Sequence, residues 1–322
     1  MLLTRLSGRR LLFFGGKGGV GKTTLASAVA AGLADSGKRV LLASTDPAHN
    51  LGHIWGREVG PLPVRLAAGL DALEIDPSQT VDAHLSAVAD TLRPMLPERL
   101  RAPLQHHLTL ARDAPGMAEA ALLEKMADIV SAGLSSHDVV IFDTAPSGHT
   151  SRLLELPEQM AAWTEGMMGR RDRADRFKAA LGQFRAYSPD TASEAREHTI
   201  RHVLSKRRDK FNTMRAALTD EGLTAFLIVL AAERLPVLES LELDTRLRRA
   251  GIPVAGFILN RLAPADAGAF QDARRAGERP YVAQMQDAVG PRLLARLPML
   301  ASEIVGPDAL LQFFRSEIAV PS

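Results

Sequence analysis

The sequence predicts an α/β fold in which a mostly parallel sheet is flanked by helices and carries an inserted helical subdomain. Three features predict it. Short continuous apolar runs recur at 11–14, 40–43, 139–142, 225–230 and 254–259, the pattern of strands covered on both faces. Amphipathic helical patterns lie between these runs, as a parallel sheet requires. A glycine-rich segment joins the first run to a helix-forming run from Lys22 to Ala34. In open sheets of this kind, ligands gather at the carboxyl ends of the strands.

The first strand-to-helix junction is the most informative. It reads Gly15-Gly16-Lys17-Gly18-Gly19-Val20-Gly21-Lys22-Thr23-Thr24, and from Gly16 it satisfies the phosphate-loop pattern G-x-x-x-x-G-K-[ST]. Strand, glycine loop and helix together predict a P-loop NTPase. Glycines let backbone N–H groups converge on phosphate oxygens, and the helix start adds partial positive charge. The nucleotide-binding set is therefore Gly16, Lys17, Gly18, Gly19, Val20, Gly21, Lys22, Thr23 and Thr24. Lys22 is expected to reach the β- and γ-phosphates, and the Thr23 hydroxyl to hold Mg²⁺. Lys17 is a second lysine in the loop, and the pattern alone gives it no role.

The second strand runs into Ser44-Thr45-Asp46-Pro47-Ala48-His49-Asn50, and the third into Asp143-Thr144-Ala145-Pro146-Ser147-Gly148-His149-Thr150. Two acids at strand ends beside a phosphate loop suit two jobs. Asp46 is assigned to the attacking water. Asp143 is assigned to Mg²⁺, both acids acting on the metal through its water shell.

Two stretches exceed simple βαβ spacing, 80–136 and 152–221, and both are helical in pattern. In the second, Leu156, Met160, Trp163 and Met167 recur at helical spacing, and Phe177, Leu181 and Phe184 repeat it. Such a stripe is one helix face. It packs as a helical core or opens as an apolar groove, a use for which adaptable Met is suited.

Composition bounds the rest. The 322 residues are 46% hydrophobic, with formal net charge +2 and pI about 9.1. A nucleic-acid partner is not expected from that balance. The clusters Arg170-Arg171-Asp172-Arg173 and Lys206-Arg207-Arg208 read as solvated helix faces. With no cysteine, disulfides, Fe–S ligation, thiolate zinc sites and cysteine nucleophiles are excluded. The longest apolar stretch, 223–232, is too short to span a bilayer, which needs about 20 residues. Arg5, Arg9 and Arg10 interrupt the N-terminal apolar residues, a poor signal peptide. A cytoplasmic protein is expected.

The phosphate loop, the DPAHN segment and the DTAPSGHT segment together resemble the ArsA-type ATPase family. That family holds the arsenite-pump ATPase and the ATPase that targets tail-anchored membrane proteins. The likeness extends to Asn260, in Ile258-Leu259-Asn260-Arg261, where the family places an adenine-contacting Asn. It also covers Leu297-Pro298-Met299-Leu300 and Glu303-Ile304-Val305-Gly306, similar to the family's adenine-side loop. The resemblance implies a single ATPase domain over 1–322, its core sheet at about 10–80, 137–151 and 222–322. The helical subdomain would take about 80–136 and 152–221.

It further implies hydrolysis of ATP with Mg²⁺ by a homodimer. Lys17 would cross to the partner's nucleotide, acting with Asp46 and Lys22 in catalysis. The Asp46 and Asp143 segments would be switches, with Pro47, His49, Asn50, Pro146, Gly148, His149 and Thr150 as relay positions. The client would be a hydrophobic protein segment or membrane-protein partner. Met160, Trp163, Met167, Phe177, Leu181 and Phe184 would form its surface. The chain departs from the family in lacking the cysteines that bind As(III) and the CxxC pair of the zinc-clamped dimer. Arsenite binding by the cysteine route is thus disfavoured. Ala232-Glu233 stands where Pro-Glu is common. The alternatives are a ParA/MinD-like positioning ATPase, for which the tail 313–318 is only weakly amphipathic, and a nucleotide-gated adaptor with little turnover.

Overall fold

A computed structural model describes residues 2–46, 50–93, 98, 101–114, 116–145, 191–265 and 267–319. The chain divides into two units. The first comprises Met1–Pro77, Asp128–Leu154 and Ala217–Ser322; the second comprises Ser78–Ala127 and Glu155–Ala216.

The first unit is built on an eight-stranded sheet. Its strands are β1 (Leu11–Gly15), β2 (Val40–Ser44), β3 (Val64–Ala67), β4 (Leu70–Glu74), β5 (Val139–Asp143), β6 (Thr224–Leu230), β7 (Val254–Leu262) and β8 (Leu293–Pro298). Their spatial order is β3-β4-β2-β5-β1-β6-β7-β8. Every pairing is parallel except β3 with β4. The mostly parallel sheet flanked by helices is thus the architecture the apolar runs predict. The β3–β4 hairpin and β8 are additions. β3 is only partly buried, so it lacks the continuous apolar run that marks the central strands.

All residues of β1, β2, β5 and β6 are buried, as strands covered on both faces must be. Their register places Phe13 opposite Phe142 and Phe226. The three rings stack at 5.1 and 5.9 Å between centroids, tilted by 8°. Truncating any one of them should cost about 3–5 kcal/mol.

Residues of opposite parity, including Leu12, Phe14, Leu42 and Ile141, enter the cluster that also holds helix α2 (Lys22–Asp35). That helix follows α1 (Leu2–Leu6). It is buried continuously from Lys22 to Gly32 except at Thr24, so it shows no one-sided apolar stripe. The buried indole of Trp55 on α3 (Asn50–Trp55) donates from Nε1 to Ser27 Oγ of this helix at 3.1 Å.

The C-terminal Phe313, Phe314 and Ile318 are buried in this same cluster. A Cβ on Gly32 would lie 2.2 Å from the Phe314 ring. The aromatic tail is therefore core filling, and its apolar residues are not available as a membrane anchor.

The second unit contains α4 (Pro77–Leu92) from Ser78, α5 (Arg101–Arg112), the first part of α6 (Met117–Ser136) and α7 (Thr191–Thr219) up to Ala216. Leu123, Met126, Phe211 and Met214 are buried. Glu124 accepts charge from three sides, with His84 Nδ1 at 2.8 Å and Arg207 and Lys210 at 3.5 Å. Burial pushes its carboxyl up, but the His84 hydrogen bond and the two cations outweigh that and hold it at about 2. Arg207, read from sequence as part of a solvated face, is thereby a partner of a half-buried acid. The remaining helices are α8 (Arg234–Arg249), α9 (Ala269–Val289) and α10 (Pro307–Phe313), all in the first unit. Among the described residues, no helix is long and apolar enough to cross a membrane.

Candidate functional site: a nucleotide cradle at the strand ends

Strands β1, β2, β5, β6 and β7 all end on one side of the sheet, where their carboxyl ends deliver the predicted residues. The loop after β1 turns on Gly16, whose φ of 142° is open chiefly to glycine. A Cβ there would lie 2.0 Å from the Val229 carbonyl oxygen of β6. The close approach of loop to strand thus requires the missing side chain. Gly21 caps α2 in the left-handed region at φ 94°, and Lys22 and Thr23 open the helix.

Lys22 is 4% exposed. Its ammonium donates to the Lys17 carbonyl at 3.1 Å, closing the loop on itself. Burial lowers its pKa, and the charges of Asp143 and Asp46 raise it back in part. Asp143, at the end of β5, is fully buried. Burial pushes its carboxyl up to about 7; the Thr23 hydroxyl and the Lys22 charge pull against that, while Asp46 adds to it. Ser44 Oγ donates to Asp143 Oδ2 at 3.4 Å, and Ser44 Oγ in turn accepts from Asp46 N at 3.2 Å. The two acidic segments are laced together further on. Thr45 N donates to the Asp143 carbonyl at 2.9 Å, and Ala145 N to Thr45 Oγ1 at 3.1 Å. Thr144 Oγ1 donates to the Phe14 carbonyl at 2.8 Å.

Asp143 Oδ1 is buried and receives no hydrogen bond. A buried carboxylate oxygen without a donor is costly, and here it sits beside a hydroxyl and an ammonium. Among the described residues no group of three His, Cys, Asp or Glu could hold a metal ion. The donor set is hard oxygen, and it is incomplete on the protein side. It fits Mg²⁺, which keeps waters and phosphate oxygens in its shell, rather than an ion that needs a full protein cage.

Beside the loop lies a pocket of about 710 Å³, lined by Gly21, Thr24, Asn50, His53, Asn260, Pro298 and residues 299–305 among others. Asn260 and Pro298, both predicted on the base side, share it. Asn260 is 7% exposed, and its Nδ2 donates to the Val20 carbonyl at 2.9 Å. That acceptor fixes the amide's orientation, so Oδ1 is left as the acceptor. Asn50 opens α3, whose first N–H groups are capped by Glu74 Oε1, 2.7 Å from Leu51 N.

Lys17 does not turn toward its own loop. Its Nζ pairs with Glu239 Oε1 on α8 at 2.9 Å, both side chains about a third exposed. Glu239 was not legible in the sequence. The acid considered there, Glu233, lies at the α8 N-cap and pairs with Arg274 at 3.8 Å. Glu239 follows it by nearly two helical turns, a spacing with no motif to mark it. Leu235 and Leu238, on the same helix, are 58% and 48% exposed. Pro47, His49, Pro146, Gly148, His149, Thr150, Met160, Trp163, Met167, Phe177, Leu181 and Phe184 lie outside the described residues.

The family model of the anion-transporting ATPase matches residues 9–317. The chain is 31% identical over 312 residues to the ATPase ASNA1 homolog 1 of Paramecium tetraurelia, covering 94% of this chain and 90% of that protein. It is 30% identical over 311 residues to the ATPase get3 of Aspergillus terreus, covering 94% and 89%. To the arsenical pump-driving ATPase of Acidiphilium multivorum it is 32% identical over 305 residues, covering 94% of this chain but 46% of that protein. The chain therefore belongs to the ArsA-type anion-transporting ATPase family and is an ATP hydrolase.

Proposed function

We propose that the chain is a homodimeric ATPase that couples ATP binding and hydrolysis to capture and release of a hydrophobic protein segment, acting in the cytoplasm. The observation that carries the nucleotide half is the convergence of Lys22, Thr23, Asp46 and Asp143 at adjacent strand ends, with Asp143 Oδ1 left without a donor. The client half rests on the relatives named get3 and ASNA1 and on the apolar stripe from Met160 to Phe184. A single domain over 1–322, with the helical stretches as its client-facing subdomain, goes with this reading.

Each residue then has a job that its environment supports. The glycine loop wraps the phosphates, and buried Lys22 lies against their β- and γ-oxygens. Thr23 would hold Mg²⁺, with Asp143 and Asp46 reaching it through water. Bound there, Mg²⁺ would neutralise charge on the phosphate oxygens. Asp46 orients the water that attacks the γ-phosphorus. Lys17 of one protomer stabilises the charge on the partner's transferred phosphoryl group, as an arginine finger does. The segments carrying Pro47, His49, Asn50, Pro146, Gly148, His149 and Thr150 follow the γ-phosphate and switch the client surface.

Asn260 selects the base. Its Oδ1 can accept a hydrogen bond from the exocyclic amine of adenine, whereas guanine presents an acceptor at the same position. Pro298 lines the same pocket.

The decisive experiment uses an Asp46→Asn variant, expected to bind ATP without hydrolysing it. Sizing with ATP and Mg²⁺ should show a trapped dimer that retains a hydrophobic client helix. Capture that is indifferent to nucleotide, and to polar substitution of Met160 and Met167, would sink the proposal.

A further inference from the structure

We infer that Arg261 is a base-contacting residue, its guanidinium lying over the face of the bound nucleobase; this rests on the reading of the 710 Å³ pocket as the base site. Arg261 is the one non-glycine residue with positive φ among those described, at 58°. For an arginine, with a full Cβ and a long stem, that region is sparsely populated. Residues held there persist only where their surroundings fix them, and they cluster at ligand sites.

The surroundings here are identifiable. Arg261 directly follows Asn260, whose side chain is tied to Val20. Just beyond it, Leu262 is in register with Pro298, and its carbonyl accepts from Met299 N at 2.7 Å. The ladder between β7 and β8 shifts between Leu259 and Leu262 to accommodate this. The result is that Arg261 leaves the strand sideways into the pocket it lines with Pro298 and Leu300. A Cβ built on Gly21 would meet Arg261 Nε at 4.0 Å, so the guanidinium leans over the end of the phosphate loop.

The side chain is exposed. Among the described residues it makes no hydrogen bond or ion pair, although Glu303 lines the same pocket. The backbone is held by its neighbours while the guanidinium is left unengaged at the mouth of the pocket, where it can cover a ring, because guanidinium stacks well on π faces. Asn260 reads the edge of the base, and Arg261 covers its face.

The test compares wild type, Arg261→Gly, Arg261→Asn and Arg261→Lys by calorimetric titration with ATP and with inorganic tripolyphosphate, both with Mg²⁺. Glycine and asparagine tolerate the left-handed backbone, so both variants should melt no lower than wild type. ATP affinity should fall about tenfold in both, while tripolyphosphate affinity stays within twofold. Lysine keeps the charge but not the plane, and should lose most of the same increment. Equal losses for ATP and tripolyphosphate, with rescue by lysine, would overturn the inference in favour of a phosphate contact. Unchanged ATP affinity in the glycine and asparagine variants would overturn it outright. A wild-type protein that binds tripolyphosphate as tightly as ATP would overturn the base-site reading itself.

Discussion

The strand-end cradle and the Glu124 cluster are both polar groups set in apolar surroundings, yet they differ in what is left over. Around Glu124, every charge has a partner. His84, Arg207 and Lys210 meet one carboxylate, and its pKa falls to about 2. Around Asp143, the partners Ser44, Thr23 and Lys22 do not satisfy the whole carboxylate. One carboxylate oxygen has no donor, and burial drives the pKa up to about 7. The first arrangement is what a helical unit needs to hold itself together. The second leaves a desolvation cost that the protein's own donors do not offset, the electrostatic character of candidate functional sites.

That contrast makes single substitutions in the cradle far more damaging than those in the helical unit. The largest effect is expected at Gly16. A Cβ there would meet a backbone oxygen at 2.0 Å, which no rotamer change can relieve. Gly16→Ala should weaken ATP binding by at least about 100-fold, because the clash and the forbidden φ together exceed the ~1–3 kcal/mol of ordinary backbone strain. Calorimetric titration on protein shown by circular dichroism to be folded checks this. Near-normal binding would mean the loop is less tightly held to β6 than its geometry indicates.

Next is Lys17→Ala. Since Lys17 is turned toward Glu239 and away from its own loop, ATP binding should persist within a few-fold. Hydrolysis should fall about 10³-fold, the scale of a cation supplied to the transferred phosphoryl group. Steady-state phosphate release against protein concentration measures it. Normal turnover would remove the intersubunit role.

The two regions also differ in how far they could be read from sequence. The cradle was legible because each part is a short string at a strand end: the loop, Asp46, Asp143, Asn260 and Pro298. A β-strand places its last residue at a defined edge, so naming the strand placed the residue. Glu239 was missed because a helix distributes its contacts over several turns and no local pattern tells which acid meets the loop. The hairpin strand β3 was missed because an edge strand, half exposed, lacks an apolar run. The tail at 313–318 read as weakly amphipathic, but its aromatic residues fill a groove opened by Gly32. That pairing of small and large residues is visible only in three dimensions.

In the helical unit the expected effects are moderate and pH-dependent. Because the folded pKa of Glu124 is depressed, its contribution is complete above the ordinary 4.5 and is lost as pH falls toward about 2. Hydrogen exchange of α4 and α6 should therefore show protection lost across that window in wild type. Glu124→Gln should be destabilised at neutral pH by about 1–3 kcal/mol, the penalty of leaving buried partners unsatisfied, and should respond less across the acid window. An identical acid response in both would show that other carboxylates govern the unit.

The smallest effect on stability is expected at Glu239, which lies in the cradle's unit but is paired in the manner of a surface charge. Both partners are about a third exposed, and such pairs contribute about 0.2–1 kcal/mol, less in salt. Glu239→Gln should shift denaturant unfolding by no more than that. Its functional consequence follows from the same figure. If Lys17 must leave Glu239 before reaching a partner's nucleotide, the pairs of both protomers oppose ATP-dependent dimerisation, together by a factor of about 2–30. Sedimentation with ATP in an Asp46→Asn background should thus show a dimer tighter by that factor when Glu239 is neutral, converging with the parent as salt rises. A weaker dimer would mean that Glu239 serves the assembled state, for instance by meeting the partner's Lys17, and that the intrachain pair is a resting contact of no consequence.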